Sequence, residues 1–162
     1  MTKVLFVCLG NICRSPTAEG VFRDLVRGRG LEHSIRTDSA GTSGWHIDVP
    51  PDSRARAEAR RRGINIDDLR SRKVEAADFD RFDYVIAMDE ANIADLEELC
   101  PAQLRGRLHL FTDFAPKGTP AGVPDPYYGG EDGFKQVFDL ITRCSEGLLA
   151  RIAEETCKHD AG

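Results

Sequence analysis

The sequence predicts an α/β fold, a single three-layer domain in which a four-stranded parallel sheet is flanked by helices and a tight loop, suited to an anion, follows the first strand. Two observations carry this. Short apolar runs of the kind buried on both faces of a sheet, such as Val4-Leu5-Phe6-Val7 and Tyr84-Val85-Ile86-Ala87-Met88, alternate with stretches of helical periodicity. Each run also leads into a helix start, the order that builds βαβ crossovers rather than hairpins. At 162 residues the chain is long enough to bury a core without metal or disulfide staples. With no internal repeat, low-complexity tract or linker, residues 1–162 read as one domain.

The elements follow in order. Residues 3–8 form the first strand. From Pro16, an early helix position where a missing N–H costs little, Ala18, Val21, Phe22, Leu25 and Val26 keep helical spacing until Gly28 and Gly30. A second strand runs from Ile35 to Ser39 and is ended by Ala40-Gly41. A polar loop from Gly41 to Pro51 carries the only tryptophan, Trp45. Asp52 or Ser53 caps a helix through about Arg62, stopped by Gly63. Tyr84 to Met88 is the third strand, followed by a helix start at Asp89-Glu90, and Arg107 to Phe111 the fourth. Thr112 to Gly130 is rich in Pro and Gly. A terminal helix then aligns Phe134, Val137, Phe138, Ile141, Leu148 and Ile152 on one face.

Composition removes several function classes. Lys and Arg number 22 against 27 Asp and Glu, a formal charge of −5, which offers no net attraction to nucleic acid. No apolar run approaches the ~20 residues that span a membrane, so no membrane partner is expected. Without a signal-peptide pattern at the N-terminus, a cytoplasmic location is expected. Five cysteines, an odd number unevenly spaced, do not read as a disulfide framework. His33, His46, His109 and His159 lack metal-ligand spacing, so neither metal nor cofactor is expected. The cluster Arg54, Arg56, Arg60, Arg61 and Arg62 reads as a solvated helix face relieved by Glu58.

The chemistry concentrates in Cys8-Leu9-Gly10-Asn11-Ile12-Cys13-Arg14-Ser15. A strand end, a tight loop and a helix N-terminus together make an anion site, because free N–H groups converge where the helix dipole is positive. Gly10 permits close approach of the backbone, and Asn11 tolerates the left-handed conformation that turns N–H groups inward. Cys8 then lies beneath the anion, and Arg14 offers a planar fork for two phosphate oxygens. A thiol alone titrates near ~8.5; the loop amides, the helix N-terminus and Arg14 all favour the thiolate, and Ser15 is placed to donate to the sulfur. An ordinary buried cysteine needs none of these features.

Extended as Val7-Cys8-Leu9-Gly10-Asn11-Ile12-Cys13-Arg14-Ser15-Pro16-Thr17-Ala18-Glu19, this segment resembles the signature of low-molecular-weight protein tyrosine phosphatases. The resemblance continues through Asp38-Ser39-Ala40-Gly41-Thr42, Met88-Asp89-Glu90-Ala91-Asn92 and Asp125-Pro126-Tyr127-Tyr128-Gly129, in the family's order and over essentially the whole chain. It implies hydrolysis of phosphotyrosine monoesters through a phosphocysteine on Cys8, with Arg14 and the amides of residues 9–14 on the phosphate oxygens. It also implies that Asp125 is the general acid and base: a tyrosyl oxygen of pKa ~10 leaves badly as an anion, and a placed carboxylic acid contributes about 10²–10⁴-fold. The expected partners are a phosphotyrosine-containing protein, a tyrosine kinase among the candidates, and phosphate or other oxyanions in the loop.

Further roles follow from the same resemblance. Trp45, Tyr127 and Tyr128 belong at the pocket entrance, where aromatics stack on a phenyl ring; ordinary packing is the alternative for Tyr128. Ile12 suits an aromatic ester, whereas related arginine phosphatases tend to carry threonine there. Cys13 either packs as a small buried thiol or traps oxidised Cys8 as a reversible disulfide, and the resemblance favours the trap. Asn11 and Ser39 are expected to brace the loop and Asp89 to orient Arg14, although Ser39 or Asp89 could equally be local caps. One departure stands out. Many relatives have a histidine shortly after the glycine matching Gly63, where this chain has Asp67-Asp68-Leu69.

Three other functions are weighed against this. A protein arginine phosphatase of the same fold is opposed by Ile12. An arsenate reductase needs two further cysteines on a mid-chain segment, and no cysteine lies between Cys13 and Cys100. A non-catalytic phosphotyrosine-binding module would have lost Cys8 or Asp125, and both are present.

Overall fold

The computed structural model describes residues 1–127 and 130–160. Strand β1 (Thr2–Cys8) is followed by helix α1 (Arg14–Gly28), β2 (Ile35–Gly41), α2 (Ser53–Arg61), α3 (Asp78–Arg81), β3 (Tyr84–Ala87), α4 (Glu90–Leu99), β4 (Leu108–Leu110) and α5 (Glu131–Asp160). Short 3₁₀ helices at Ala102–Arg107 and Phe111–Phe114 flank β4. The sheet has the order β2-β1-β3-β4 and every pairing is parallel. The chain therefore leaves β1 toward one side for β2 and later returns to its other side for β3. In open sheets of this kind ligands bind outside the carboxyl end of such a switch point, where Cys8 ends β1.

Alternation along β1 explains the layers. Val4, Phe6 and Cys8 face a core shared with Phe22 and Val26 of α1, Ala55 and Ala59 of α2, and Phe138, Ile141 and Leu148 of α5. Leu5 and Val7 face a second core with Phe79 of α3 and Leu96 of α4. Both faces of the central strands are covered, which is why β1 and β3 are apolar runs rather than alternating ones. Phe6 is held between Phe22 and Phe111, with ring centroids 5.5 and 5.4 Å away; such pairs add about 0.5–1.5 kcal/mol each beyond burial.

The structure trims and extends the expected elements. β2 runs through Gly41 instead of ending before it, because Gly41 still pairs with Cys8 and bridges Lys73. A Cβ on Gly41 would lie 2.8 Å from the Leu9 carbonyl oxygen, so only glycine lets β2 pass so close beneath the loop. Met88 falls outside β3, and β4 spans only Leu108–Leu110. Arg107 instead closes the end of α3, its guanidinium donating to the carbonyls of Phe79 and Phe82, both at 3.1 Å. Helix α1 begins at Arg14, two residues before Pro16, and Asp52 rather than Ser53 caps α2, accepting from the Arg54 N–H at 2.8 Å. Of the arginines after it, Arg56 and Arg60 pair with Asp67, Arg61 with Glu58, and Arg62 with Glu58 and Asp139. No helix among the described residues is long and apolar enough to cross a membrane.

Candidate active site

The loop between β1 and α1 closes around the Cys8 sulfur. Asn11 takes the left-handed conformation, φ 57°, as its place in the loop requires. Its backbone N–H then points at Cys8 Sγ at 3.3 Å, and its side-chain Nδ2 donates to Ser15 Oγ at 2.7 Å. Ser15 Oγ lies 3.0 Å from Cys8 Sγ and 3.4 Å from the Ala40 carbonyl oxygen. Since Asn11 already donates to that hydroxyl, Ser15 has its own proton to give, and the sulfur is the nearer acceptor. At the loop's end, Cys13 occupies the N-cap of α1 without a capping side-chain hydrogen bond, and no acidic residue sits in the first turn. The helix N-terminus is thereby left to act on an anion.

Arg14 is buried, its side chain 4% exposed, and is fixed from two other elements. Nη1 donates to Asp89 Oδ2 at 2.6 Å and to the Val123 carbonyl at 3.0 Å. Asp89 caps α4 at the same time, its Oδ1 accepting from the Asn92 N–H at 2.8 Å. The choice between local cap and arginine partner is thus no choice, because the two carboxylate oxygens divide the tasks. The Val123 N–H in turn donates to the Met88 carbonyl at 2.6 Å, which ties the segment before Asp125 to the end of β3. This brings Asp125 Oδ2 to 3.7 Å from Arg14 Nη2, with Oδ1 accepting from the Tyr127 N–H at 3.0 Å.

Together these form a pocket of about 200 Å³ lined by Cys8, Leu9, Gly10, Ile12, Cys13, Arg14, Trp45, His46, Asp125 and Tyr127. Trp45 and Tyr127 stand at its rim, 74% and 41% exposed. Arg54 lies over the Tyr127 and Phe134 rings at 5.4 and 4.8 Å, while Asp52, its ion-pair partner, donates its backbone N–H to the Ile12 carbonyl at 2.8 Å. One wall of the pocket is therefore tied to the loop through α2. A larger hollow of about 560 Å³ lies at the other end of the strands, around Thr2 and Tyr84, far from the loop.

The low molecular weight phosphotyrosine protein phosphatase model matches residues 3–158. The chain belongs to that family. It is 46% identical over 155 residues to the low molecular weight protein-tyrosine-phosphatase YfkJ of Bacillus subtilis, covering 96% of this chain and 98% of that one. With the low molecular weight phosphotyrosine protein phosphatase of Schizosaccharomyces pombe it shares 44% identity over 157 residues, covering 94% and 100% of the two chains. The crystal structure of a protein tyrosine phosphatase from Entamoeba histolytica with Hepes in the active site superposes with a TM-score of 0.92 at 41% identity, covering 96% of this chain and 99% of that one.

Within this family member the expected site residues that lie among the described ones converge, with one exception and several additions. Among the described residues Ser39 makes no side-chain hydrogen bond to the loop. On the α1 side of β2, its hydroxyl donates to Glu19 Oε1 of α1 at 2.8 Å. Bracing comes instead from the Arg72 backbone, whose N–H donates to Asn11 Oδ1 at 3.0 Å. Tyr128 lies outside the described residues. In the segment after Gly63, Leu69 packs against the core, Asp68 takes both oxygens to Arg23 at 2.9 and 3.0 Å, and Asp67 holds Arg56 and Arg60. His46 was not expected in the pocket; its only signal was adjacency to Trp45. Arg72 carried no signal at all. Burial above all, then Asp52 and Cys8, pushes the Cys13 thiol far up, which keeps it protonated beside Cys8. Among the described residues no group of His, Cys, Asp or Glu is arranged to hold a metal.

Proposed function

We propose that this protein hydrolyses phosphotyrosine in protein substrates, with Cys8 as nucleophile, Arg14 and the loop amides holding the phosphoryl group, and Asp125 as general acid and base. The observation that carries the reading is the convergence, in one pocket, of a sulfur hydrogen-bonded to Ser15 and Asn11 with a buried arginine that already reaches the candidate acid. The Cys8 thiolate attacks phosphorus, an S–P bond forms and the P–O bond to the tyrosine breaks. Asp125 gives its proton to the leaving oxygen. Water then attacks the phosphocysteine, Asp125 takes the water's proton, and Cys8 leaves as the thiolate while inorganic phosphate is released. Through both steps Arg14 and the loop N–H groups face the equatorial oxygens, a preorganised electrostatic cradle of the kind that commonly supplies the largest catalytic contribution.

Ile12 and Tyr127 on the pocket wall, with Trp45 at its rim, support an aromatic phosphoester over phosphoarginine. Tyrosine-phosphorylated proteins, a tyrosine kinase among them, are the partners this pocket suits, and inorganic phosphate and other oxyanions would occupy the loop. Cys13, in the same pocket, is proposed to capture Cys8 once hydrogen peroxide has oxidised its thiolate to the sulfenic acid: the Cys13 sulfur attacks, a disulfide forms with loss of water, and external thiols then reduce it. A reducing, cytoplasmic setting suits free cysteines at this site.

The test is hydrolysis of a phosphotyrosine peptide by wild type, Cys8→Ser and Asp125→Ala, with phosphoarginine and arsenate in parallel. Turnover by wild type, none by Cys8→Ser, and a loss in Asp125→Ala of about 10²–10⁴-fold for poor leaving groups is expected. Cleavage of phosphoarginine alone would overturn the substrate assignment, and phosphate binding without turnover would overturn catalysis.

A further inference from the structure

We propose that Arg72, clamped between Asp38 and Asp78, is a positioning residue for the nucleophile: it sets the orientation of the Asn11 amide and, through Ser15, the hydrogen bond to Cys8 Sγ. The inference deepens the phosphatase reading of this pocket and rests on it for its kinetic consequence.

The clamp is built from both ends of the guanidinium. Nε and Nη2 donate to Asp38 Oδ2 at 3.2 and 3.0 Å. Nη1 and Nη2 donate to the two oxygens of Asp78 at 3.0 and 3.1 Å. The Asp78 side chain is only 1% exposed and also accepts from the Glu75 N–H at 2.8 Å. A carboxylate so buried holds its cation firmly, because without Arg72 it would keep only the more distant Arg81, at 3.7 Å. Lysine could not reproduce this, since one ammonium cannot fork to two carboxylates in a plane.

The clamped residue is fixed along its backbone as well. Its carbonyl accepts from the Gly41 N–H at 2.8 Å, and the Gly41 carbonyl accepts from the Val74 N–H at 2.8 Å, so residues 72–74 lie as a short rung beside the end of β2. The remaining Arg72 N–H points at Asn11 Oδ1 at 3.0 Å.

That single donor decides the chemistry downstream. The two ends of an asparagine amide have nearly the same shape and opposite hydrogen-bonding character. A donor at one end requires the oxygen there, so Nδ2 must face Ser15 Oγ at 2.7 Å. Ser15 then accepts from Asn11 and keeps its own proton, for which Cys8 Sγ at 3.0 Å and the Ala40 carbonyl at 3.4 Å compete; a thiolate, being charged, is the stronger acceptor. With the rung loosened, Asn11 can present its oxygen to Ser15 and draw that proton away from the sulfur. The thiolate would then lose a donor without any change in the residues that line the pocket.

The test compares wild type with Arg72→Met and Arg72→Lys, alone and in a Ser15→Ala background. The first readout is the rate at which iodoacetamide alkylates Cys8 at mildly acidic pH, followed by mass spectrometry of the Cys8 peptide. Loss of one charge-assisted hydrogen bond lowers the thiolate population about tenfold. The more basic sulfur recovers part of that through its greater nucleophilicity, leaving alkylation about threefold slower. In steady state kcat should fall about tenfold with KM little changed, and Arg72→Lys should recover part of each loss. In the Ser15→Ala background Arg72→Met should have no further effect on alkylation, because the route it acts through is already cut.

Folded Arg72→Met with wild-type alkylation would overturn the proposal, as would an equal additional slowing in the Ser15→Ala background. Should Arg72→Met fail to fold, Asp38→Ala removes one side of the clamp while leaving the buried pair with Asp78, and carries the same expectations in smaller degree. The alkylation arm needs no phosphate ester, so a wild type that turned over no substrate would sink the phosphatase reading and leave this result readable.

Discussion

Ser15 shows how much depends on one hydroxyl. It accepts from Asn11 and faces Cys8 Sγ at 3.0 Å from the first turn of α1. A hydrogen bond to a charged group contributes about 1.5–3 kcal/mol. Ser15→Ala is therefore expected to lower kcat by about 10–100-fold with little change in KM, measured in steady state on a phosphotyrosine peptide. A comparable rise in KM would mean that Ser15 serves phosphate binding instead. At this scale the sequence was legible wherever partners are close along the chain. Cys8, Asn11, Arg14 and Ser15 share one loop, and strand-loop-helix order alone implies their convergence. Asp89 and Asp125 could be read only through resemblance, since nothing local announces their contact with Arg14. Arg72 was illegible, because it acts through its backbone N–H on a residue 61 positions away and has no pattern of its own.

Helices and strands were legible to the extent that they carry periodicity. β1, β3 and α5 have long apolar patterns, and they fold where those patterns lie. Helix α3, four residues long, is too short for a period to register, and it exists because it covers the Leu5 and Val7 face with Phe79. β4 lost Arg107 and Phe111 to flanking 3₁₀ helices, since Arg107 is occupied by the α3 carbonyls and Phe111 by the ring of Phe6. The fit of α5 onto the 3₁₀ helix at Phe111–Phe114 gives an element-scale prediction. A Cβ at Gly147 would fall 1.8 Å from the Phe114 carbonyl oxygen, which is backbone and cannot swing aside. Helix propensity favours alanine over glycine by about 1 kcal/mol, and overpacking costs about 1–3 kcal/mol or more. Gly147→Ala should therefore destabilise the protein despite its better helix propensity, measured by urea unfolding. A stabilised variant would show that α5 is not seated this closely.

Over the whole molecule, the parallel sheet gathers its chemistry at one end. The loop after β1, the end of β2, the start of α4 and the segment before α5 meet at the switch point, leaving α1 to connect the site with the core. Glu19 lies on that helix, 5% exposed, and burial pushes its carboxyl up to about 7 against the hydrogen bond from Ser39, which favours the charged form. Its folded pKa lies above its unfolded one, so the folded state binds this proton more tightly. The stabilisation is complete below the ordinary carboxylate range and is lost as pH rises through about 7. The loss amounts to about 3 kcal/mol at about 1.4 kcal/mol per pH unit. Glu19→Gln should gain stability relative to wild type between mildly acidic and mildly basic pH, and parallel urea-unfolding profiles for the two proteins would contradict the assignment. The central claim, however, is covalent. The most direct measurement is acid quenching during turnover of a radiolabelled phosphotyrosine peptide, followed by mapping of the labelled residue. The label should be found on Cys8 in wild type and be absent from Cys8→Ser; turnover with no label on the protein, or with label on any other residue, would contradict the account.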